Sequence, residues 1–357
     1  RANTSTAVPV NGGGPAQEYR LTGHKWFTSA PMSDAFLALA YAPHGLSCFL
    51  MPRVMPDGSR NSLQLNRLKD KLGNKSNASS ELEYIDAAGW LVGEEGRGVA
   101  TIIEMVGGTR VDVATWAAAL MRQGVAQAGW HCAHRSAFGA PLIEKPLMQN
   151  VLADLEIEAE VGTLMAVRLA GAKERSTVDE GEQGVTRVGS AVAKYWLTKR
   201  STPVVREALE CVGGNGYVEE SILPRLYREA PLNAIWEGSG NVIALDVLRA
   251  LKRSPESGDA FVAELERGKG VEPSLDQAMS DVAKAIVDAP GEEVSARRLI
   301  EQMALAWAGS LLVQHGDQDV ARLFARSRLE GNWGSEFGTL PPDSSLGRIA
   351  RRTVPAR

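Results

Sequence analysis

At Gly98 the apolar residues of this chain change their period, and no other feature limits the fold as much. Before that point, short runs alternate apolar and polar side chains at residues 19–27, 35–41, 46–51, 63–68 and 82–85. Turn-forming stretches such as Gly12-Gly13-Gly14, Pro56-Asp57-Gly58 and Gly73-Asn74 divide them. Short period-two runs punctuated in this way predict an antiparallel β-domain. After Gly98 the apolar positions recur every three or four residues through 99–135, 147–175, 188–212 and 241–251, as bundle helices require. A further helical group is expected over roughly 260–330, beyond the break Lys252-Arg253-Ser254-Pro255, with boundaries at Pro273, Pro290 and Gly316. The remainder is rich in Gly, Pro, Ser and Arg and is expected to be largely disordered. An α+β chain in four parts follows: a β-domain over 1–96, a helical bundle over 97–253, a helical extension over 254–330 and a disordered tail over 331–357.

With 357 residues, 44% of them hydrophobic, the chain can bury a core in each of two or three domains. Its formal net charge of −4 gives no overall attraction to nucleic acid or anionic lipid, so either partner would need a local basic patch. Cys48, Cys132 and Cys211 are widely separated and odd in number, which points to free thiols, a reducing compartment and a cytoplasmic protein. The first residue is Arg1 and a glycine-rich turn follows soon after, so the chain is expected to be a fragment of something longer.

Four motifs carry chemistry, and each has an ordinary structural reading beside it. Gly23-His24-Lys25-Trp26-Phe27-Thr28-Ser29 is an aromatic strand followed by hydroxyls, in which Trp26 would by default be a core aromatic. Arg135-Ser136-Ala137-Phe138-Gly139 closes a long helix, where a cation and a glycine can simply cap it. Val212-Gly213-Gly214-Asn215-Gly216-Tyr217 ends another, and consecutive glycines either stop a helix or let its backbone approach a phosphate. In Ile235-Trp236-Glu237-Gly238-Ser239-Gly240-Asn241 a carboxylate precedes an apolar helix. Ser239 or Asn241 can cap that helix, and Glu237 is either a surface acid or a base beside Trp236.

Taken in order and at this spacing, the four motifs resemble the acyl-CoA dehydrogenase superfamily over residue 21 to about residue 253. The wording GHKWF, LKDKLGNKSNASSELEY, LPRLYRE and IWEGSGN resembles its AidB-like, alkylation-response branch, which also carries a C-terminal helical extension. The resemblance implies an FAD-dependent acyl-CoA dehydrogenase: a base removes the α-proton of an acyl thioester while the β-hydrogen leaves as hydride to flavin N5. Glu237 matches that base. Trp26, Thr28 and Ser29 match positions against the isoalloxazine, and Gly213 and Gly214 the turn near the adenosine diphosphate portion. Ser239 and Asn241 match further cofactor contacts. Arg135 and Phe138 match positions that reach the FAD of a neighbouring subunit, which implies a homotetramer.

Three departures from the family pattern are visible. Some relatives place the base on the long helix, where this chain has Thr109, a residue that cannot take up a proton at neutral pH. A glutamine common seven residues after the Phe-Gly turn is replaced by Pro146. The family's N-terminal helical domain and one cofactor loop would precede Arg1, so FAD binding by this stretch alone is expected to be incomplete.

The same branch is associated with nucleic acid, which gives an alternative: a flavin-containing protein that binds duplex DNA and protects it under alkylation, with weak dehydrogenase activity. Arg249, Lys252 and Arg253 stand at i, i+3 and i+4 and share one side of a helix, and Arg249 matches a position linked to the DNA-binding surface. From Val320 onward seven basic residues (Arg322, Arg326, Arg328, Arg348, Arg351, Arg352, Arg357) face three acidic ones (Glu330, Glu336, Asp343), which reads as a solvated helix face and a flexible cationic tail.

Overall fold

Alternation in the first part of the chain builds a sheet that curls back on itself. Strand β2 (Glu18–Thr28) buries Tyr19 and Leu21 on one face. It pairs with β1 (Thr6–Pro9) on one edge and with β6 (Ser80–Val92) on the other. β1 continues to β3 (Ala35–Ala42), β3 to β4 (Gly45–Pro52) and β4 to the far end of β6, so the order β2-β1-β3-β4-β6 closes through β6 and β2. β5 (Leu63–Leu68) lies along the remaining edge of β6. Closure removes most free strand edges and encloses Tyr19, Leu21, Phe49, Met51, Leu82 and Leu91 as a core. The Tyr19 and Phe49 rings lie 5.1 Å apart within it.

The computed structural model describes residues 3–288 and 293–355, in two units, Arg1–Gly107 and Gly108–Arg357. In the first unit the pairing is antiparallel except for β1 and β3, which run parallel at Thr6 and Tyr41. The sequence pattern stops β6 at residue 85, yet the strand continues to Val92. Its continuation passes through Ala87, Ala88 and Gly89, which are too small to register as an apolar alternation. A Cβ on Gly89 would lie 2.9 Å from Leu21 Cδ1, so the small side chains are required by close packing.

The helices begin with α1 (Gly98–His134), which enters the second unit, and a two-residue-stranded hairpin, β7 (Ser136–Ala137) with β8 (Ala140–Pro141). Pro146 then opens α2 (Pro146–Arg175) at its first position, where the missing N–H costs nothing. α3 (Glu180–Cys211) starts eight residues earlier than the apolar pattern suggests. Its first turns are buried through charge: Asp179 Oδ1 accepts from the Glu182 N–H at 2.9 Å, and the Glu182 carboxylate meets Arg168 at 2.7 Å. Two short helices, α4 (Gly214–Tyr217) and α5 (Leu223–Glu229), lead to α6 (Gly240–Arg253).

The residues beyond 254 do not form a separate body. α7 (Pro255–Glu266), α8 (Pro273–Asp288), α9 (Ala296–His315) and α10 (Gln318–Phe324) share one hydrophobic core with α1 to α3. Trp307 of α9 is fully buried against Phe261 of α7, and a Cβ on Gly189 of α3 would lie 3.0 Å from its ring. The boundary at Pro290 lies outside the described residues.

The expected disorder after residue 330 is not what the fold contains: residues 331–355 lie along α2. Asp154 accepts from the Trp333 indole at 3.1 Å and the Gly338 N–H at 3.0 Å, and Asn150 exchanges two hydrogen bonds with the Leu340 backbone. A last helix, α11 (Leu346–Arg352), buries Ile349 and Ala350. Beyond it, Thr353 packs so closely on α1 that a Cβ on Gly129 would lie 2.8 Å from the Thr353 carbonyl carbon. Composition misleads here because the arginines find acids distant in sequence. Arg348 meets Asp319 at 2.7 Å, Arg352 meets Glu160 at 2.6 Å, and Arg322 pairs with Asp343. The expected flexible cationic tail is therefore an ordered strap whose Arg348 and Arg352 are paired with acids, while Arg351 bonds only the Gly347 carbonyl among the described residues; Arg357 lies outside them. Among the described residues no helix is long and apolar enough to cross a membrane.

Candidate functional site

The loop between α5 and α6 holds Glu237 in a backbone conformation that few glutamates adopt. Its φ is +54°, and Gly238 follows at +104°. A non-glycine residue held left-handed costs on the order of 1–3 kcal/mol and persists only where its surroundings impose it. Here the surroundings are cations and aromatics. Arg110 of α1 donates from Nε to the Glu237 carbonyl at 3.4 Å, and Lys194 of α3 donates from Nζ to the Gly238 carbonyl. The Trp236 ring lies 5.4 Å from that of Trp116, and its indole donates to Asn233 Oδ1 at 3.2 Å. The Glu237 side chain is half-buried, and its carboxylate accepts no hydrogen bond from a described residue.

A second layer sets the charge of this loop. Asp246 of α6 meets Arg110 at 2.6 Å and Arg187 of α3 at 3.1 Å. Burial pushes the Asp246 carboxyl up, but hydrogen bonds from both arginines outweigh it and hold the group below its ordinary range. Asp246 thereby occupies Arg110, and among the described residues the Glu237 carboxylate has no ion-pair partner. Lys194 is nearly fully buried, and burial lowers its pKa to about 8, with Arg110 acting in the same direction and Glu237 opposing.

At the start of α6, Ser239 takes the cap position but makes no side-chain capping bond, so its exposed hydroxyl is left for another partner. Asn241 is exposed as well, and its Oδ1 accepts from Arg297 Nε of α9 at 2.8 Å. Lys199 and Arg297 crowd the helix start: a Cβ on Gly240 would lie 3.0 Å from Arg297 Nη2 and 3.2 Å from Lys199 Nζ. At the end of α3, Gly213 has φ +66°, and a Cβ on it or on Gly214 would meet nothing within 4 Å. This backbone is open to an approaching group. Arg135 is exposed beside the β7–β8 turn, where Phe138 has φ +51° and is 95% exposed. Lys145 Nζ holds the Phe138 carbonyl at 2.8 Å, so the turn is fixed while its ring points into solvent.

In the β-unit, Trp26 is not a core aromatic. It is 59% exposed and Phe27 60% exposed, with Lys69 Nζ 3.0 Å from the Trp26 ring centroid. Thr28 is half-buried and Ser29 exposed at the same strand end. Arg249, Lys252 and Arg253 are exposed on the last turns of α6, and no described acid pairs with any of them. The motifs did not contain Arg110, Lys194, Asp246 or Arg297. Lys194 leaves one trace in the sequence, a charge inside the apolar run Ala191-Val192-Ala193-Lys194-Tyr195-Trp196. The other three are visible only once distant helices meet.

Residues 96–252 match the family described as acyl-CoA dehydrogenase, C-terminal domain. AidB of Escherichia coli (strain K12) is 43% identical over 333 residues, 93% of this chain and 60% of that protein. ACDH-11 of Caenorhabditis elegans, solved in complex with C11-CoA, superposes with a TM-score of 0.80 at 29% identity, over 99% of this chain and 62% of that one. An acyl-CoA dehydrogenase from Bacillus anthracis complexed with FAD has a TM-score of 0.76 over 99% of this chain and 69% of its own; at 17% identity it attests the fold alone. The chain thus spans about 60% of the length of its AidB relative.

Proposed function

The chain belongs to the acyl-CoA dehydrogenase family, and from that premise we propose that the whole protein is an FAD-dependent dehydrogenase of acyl-CoA thioesters with Glu237 as its base. The observation that carries the reading is the Glu237 loop: a half-buried carboxylate, unpaired among the described residues, on a strained backbone anchored by two cations. A carboxylate without a hydrogen-bond partner is free to take the α-proton of a thioester. Asp246 supports this by engaging the nearest arginine.

Other residues suit the cofactor. Trp26 and Phe27 offer a flat apolar face on an exposed strand end, Gly213 and Gly214 offer bare backbone, and Ser239 and Asn241 offer donors at a helix start. FAD, when bound, supplies the hydride acceptor. The rigid, solvent-facing Phe138 suits insertion into a neighbouring subunit of a homotetramer, with Arg135 beside it. ACDH-11 was solved with an acyl-CoA, which favours that substrate class. The test is anaerobic titration of the intact protein with an acyl-CoA series, following flavin bleaching. Bleaching by at least one chain length is expected, and none with any would remove the dehydrogenase reading.

A second reading rests on a separate observation, the exposed Arg249, Lys252 and Arg253, which no described acid pairs. Such a face suits the phosphates of duplex DNA, bound without sequence preference. The two readings are compatible in one protein.

A further inference from the structure

The loop that carries Glu237 rests on a lysine that no motif contains. Lys194 is 1% exposed, and its helix neighbours Val192, Ala193 and Leu197 are buried with it. Its ammonium donates to a single described acceptor, the carbonyl of Gly238, one residue past Glu237. An ammonium buried with one hydrogen bond and, among the described residues, no paired carboxylate destabilises the fold relative to an isosteric methionine. Burial lowers its pKa to about 8, with Arg110 adding to that and Glu237 opposing. What the lysine supplies in exchange is local. It fixes the Gly238–Ser239 peptide, one residue past a left-handed glutamate, in a stretch where Gly238 gives the backbone no steric preference. Arg110 holds the preceding carbonyl through a longer contact of 3.4 Å, and its guanidinium is shared with Asp246. Lys194 is thus the firmer of the two anchors.

We infer that Lys194 is a positioning residue for proton abstraction: its ammonium, seated on the Gly238 carbonyl, holds the turn that aims the Glu237 carboxylate. This rests on the reading of Glu237 as the base. A misplacement of the base by about 1 Å would cost roughly a hundredfold in rate.

The experiment compares Lys194→Met with Glu237→Gln and the parent, each as the intact FAD-containing protein. Flavin content, half-saturating acyl-CoA, the rate of flavin reduction and the effect of deuterium at the acyl α-carbon are measured. Lys194→Met is expected to slow reduction per bound flavin by about tenfold to a hundredfold and to enlarge the isotope effect, with half-saturation and flavin content within about twofold of the parent. A lysine serving only the fold would lower flavin content or the thermal midpoint and leave the rate per bound flavin unchanged; that result overturns the inference. If Glu237→Gln reduces flavin at the parental rate, the base assignment itself fails, and the role of Lys194 with it. Lys194→Gln, which keeps a donor on a chain too short for the same carbonyl, is the companion variant should the methionine protein not fold. The same loss of rate is expected, and a parental rate counts equally against the inference.

Discussion

The strain at Glu237 makes a direct claim about stability. A glutamate at φ +54° gives up on the order of 1 kcal/mol that glycine would not. Glu237→Gly is therefore expected to raise the unfolding free energy by about that amount while removing the carboxylate, as read by chemical denaturation. A neutral or destabilising change would mean that side-chain contacts, and not function, hold the turn. Trp26 makes the complementary claim for the cofactor. With 59% of its surface open it contributes little to the core, so Trp26→Ala should lower flavin occupancy of the intact protein while moving its thermal midpoint only slightly. A large fall in midpoint with full occupancy would restore Trp26 to the ordinary role of a packing aromatic. At this scale the sequence displayed Glu237, Trp26 and the glycines because each sits in a local motif. Arg110, Asp246 and Arg297 were hidden because their partners lie on helices far away in the chain.

At the level of elements, the strap over α2 is the part that composition concealed most. Its acids and arginines only become informative in pairs. Arg328, on a π-helical turn at Ala325–Leu329, is buried between Asp154 and Glu158, and the Trp333 ring lies 4.2 Å from its guanidinium. Removing one partner of such a buried group leaves the other uncompensated, so Asp154→Ala is expected to cost about 3–5 kcal/mol in urea denaturation. A cost below about 1 kcal/mol would show that the strap contributes little. Acid should act on the same set. Burial pushes Glu158 up, but Arg200 and Arg328 outweigh it and hold the carboxyl at about 2. Hydrogen bonding from Arg348 does the same for Asp317, also to about 2. Both sit below their unfolded values, so their contribution is fully present above about pH 4.5 and disappears as pH falls toward 2. Pepsin cleavage is expected within residues 331–355 before it reaches α2 or α3 over that window. The exposed end of α6 is the counterpart with unpaired charge. Arg249→Ala with Lys252→Ala should weaken binding to unrelated duplexes alike and flatten the salt dependence, by roughly 0.9 in log–log slope for each phosphate that is no longer neutralised. Duplex binding that is absent or indifferent to both changes would end the DNA role of this helix.

Across the whole molecule, the shift from period two to period three or four at Gly98 corresponds to a real division, since a closed sheet precedes it and helices follow. The chain passes from one unit to the other at residue 107, later than the pattern suggests, because α1 begins before the second unit does. The helices after residue 254 were legible as helices. Their merger with the bundle was not, since it depends on pairs such as Trp307 with Gly189, where a small residue on one helix leaves room for a ring on another. At this scale the central proposal is that Glu237 is the base of an acyl-CoA dehydrogenation. The most direct test measures acyl-CoA-dependent flavin reduction in the intact Glu237→Gln protein beside the parent. The amide preserves the shape of the side chain and cannot take up a proton. If Glu237 is the base, FAD is bound as in the parent and reduction is slower by about two to four orders of magnitude. Reduction at the parental rate, with FAD equally bound, would contradict it.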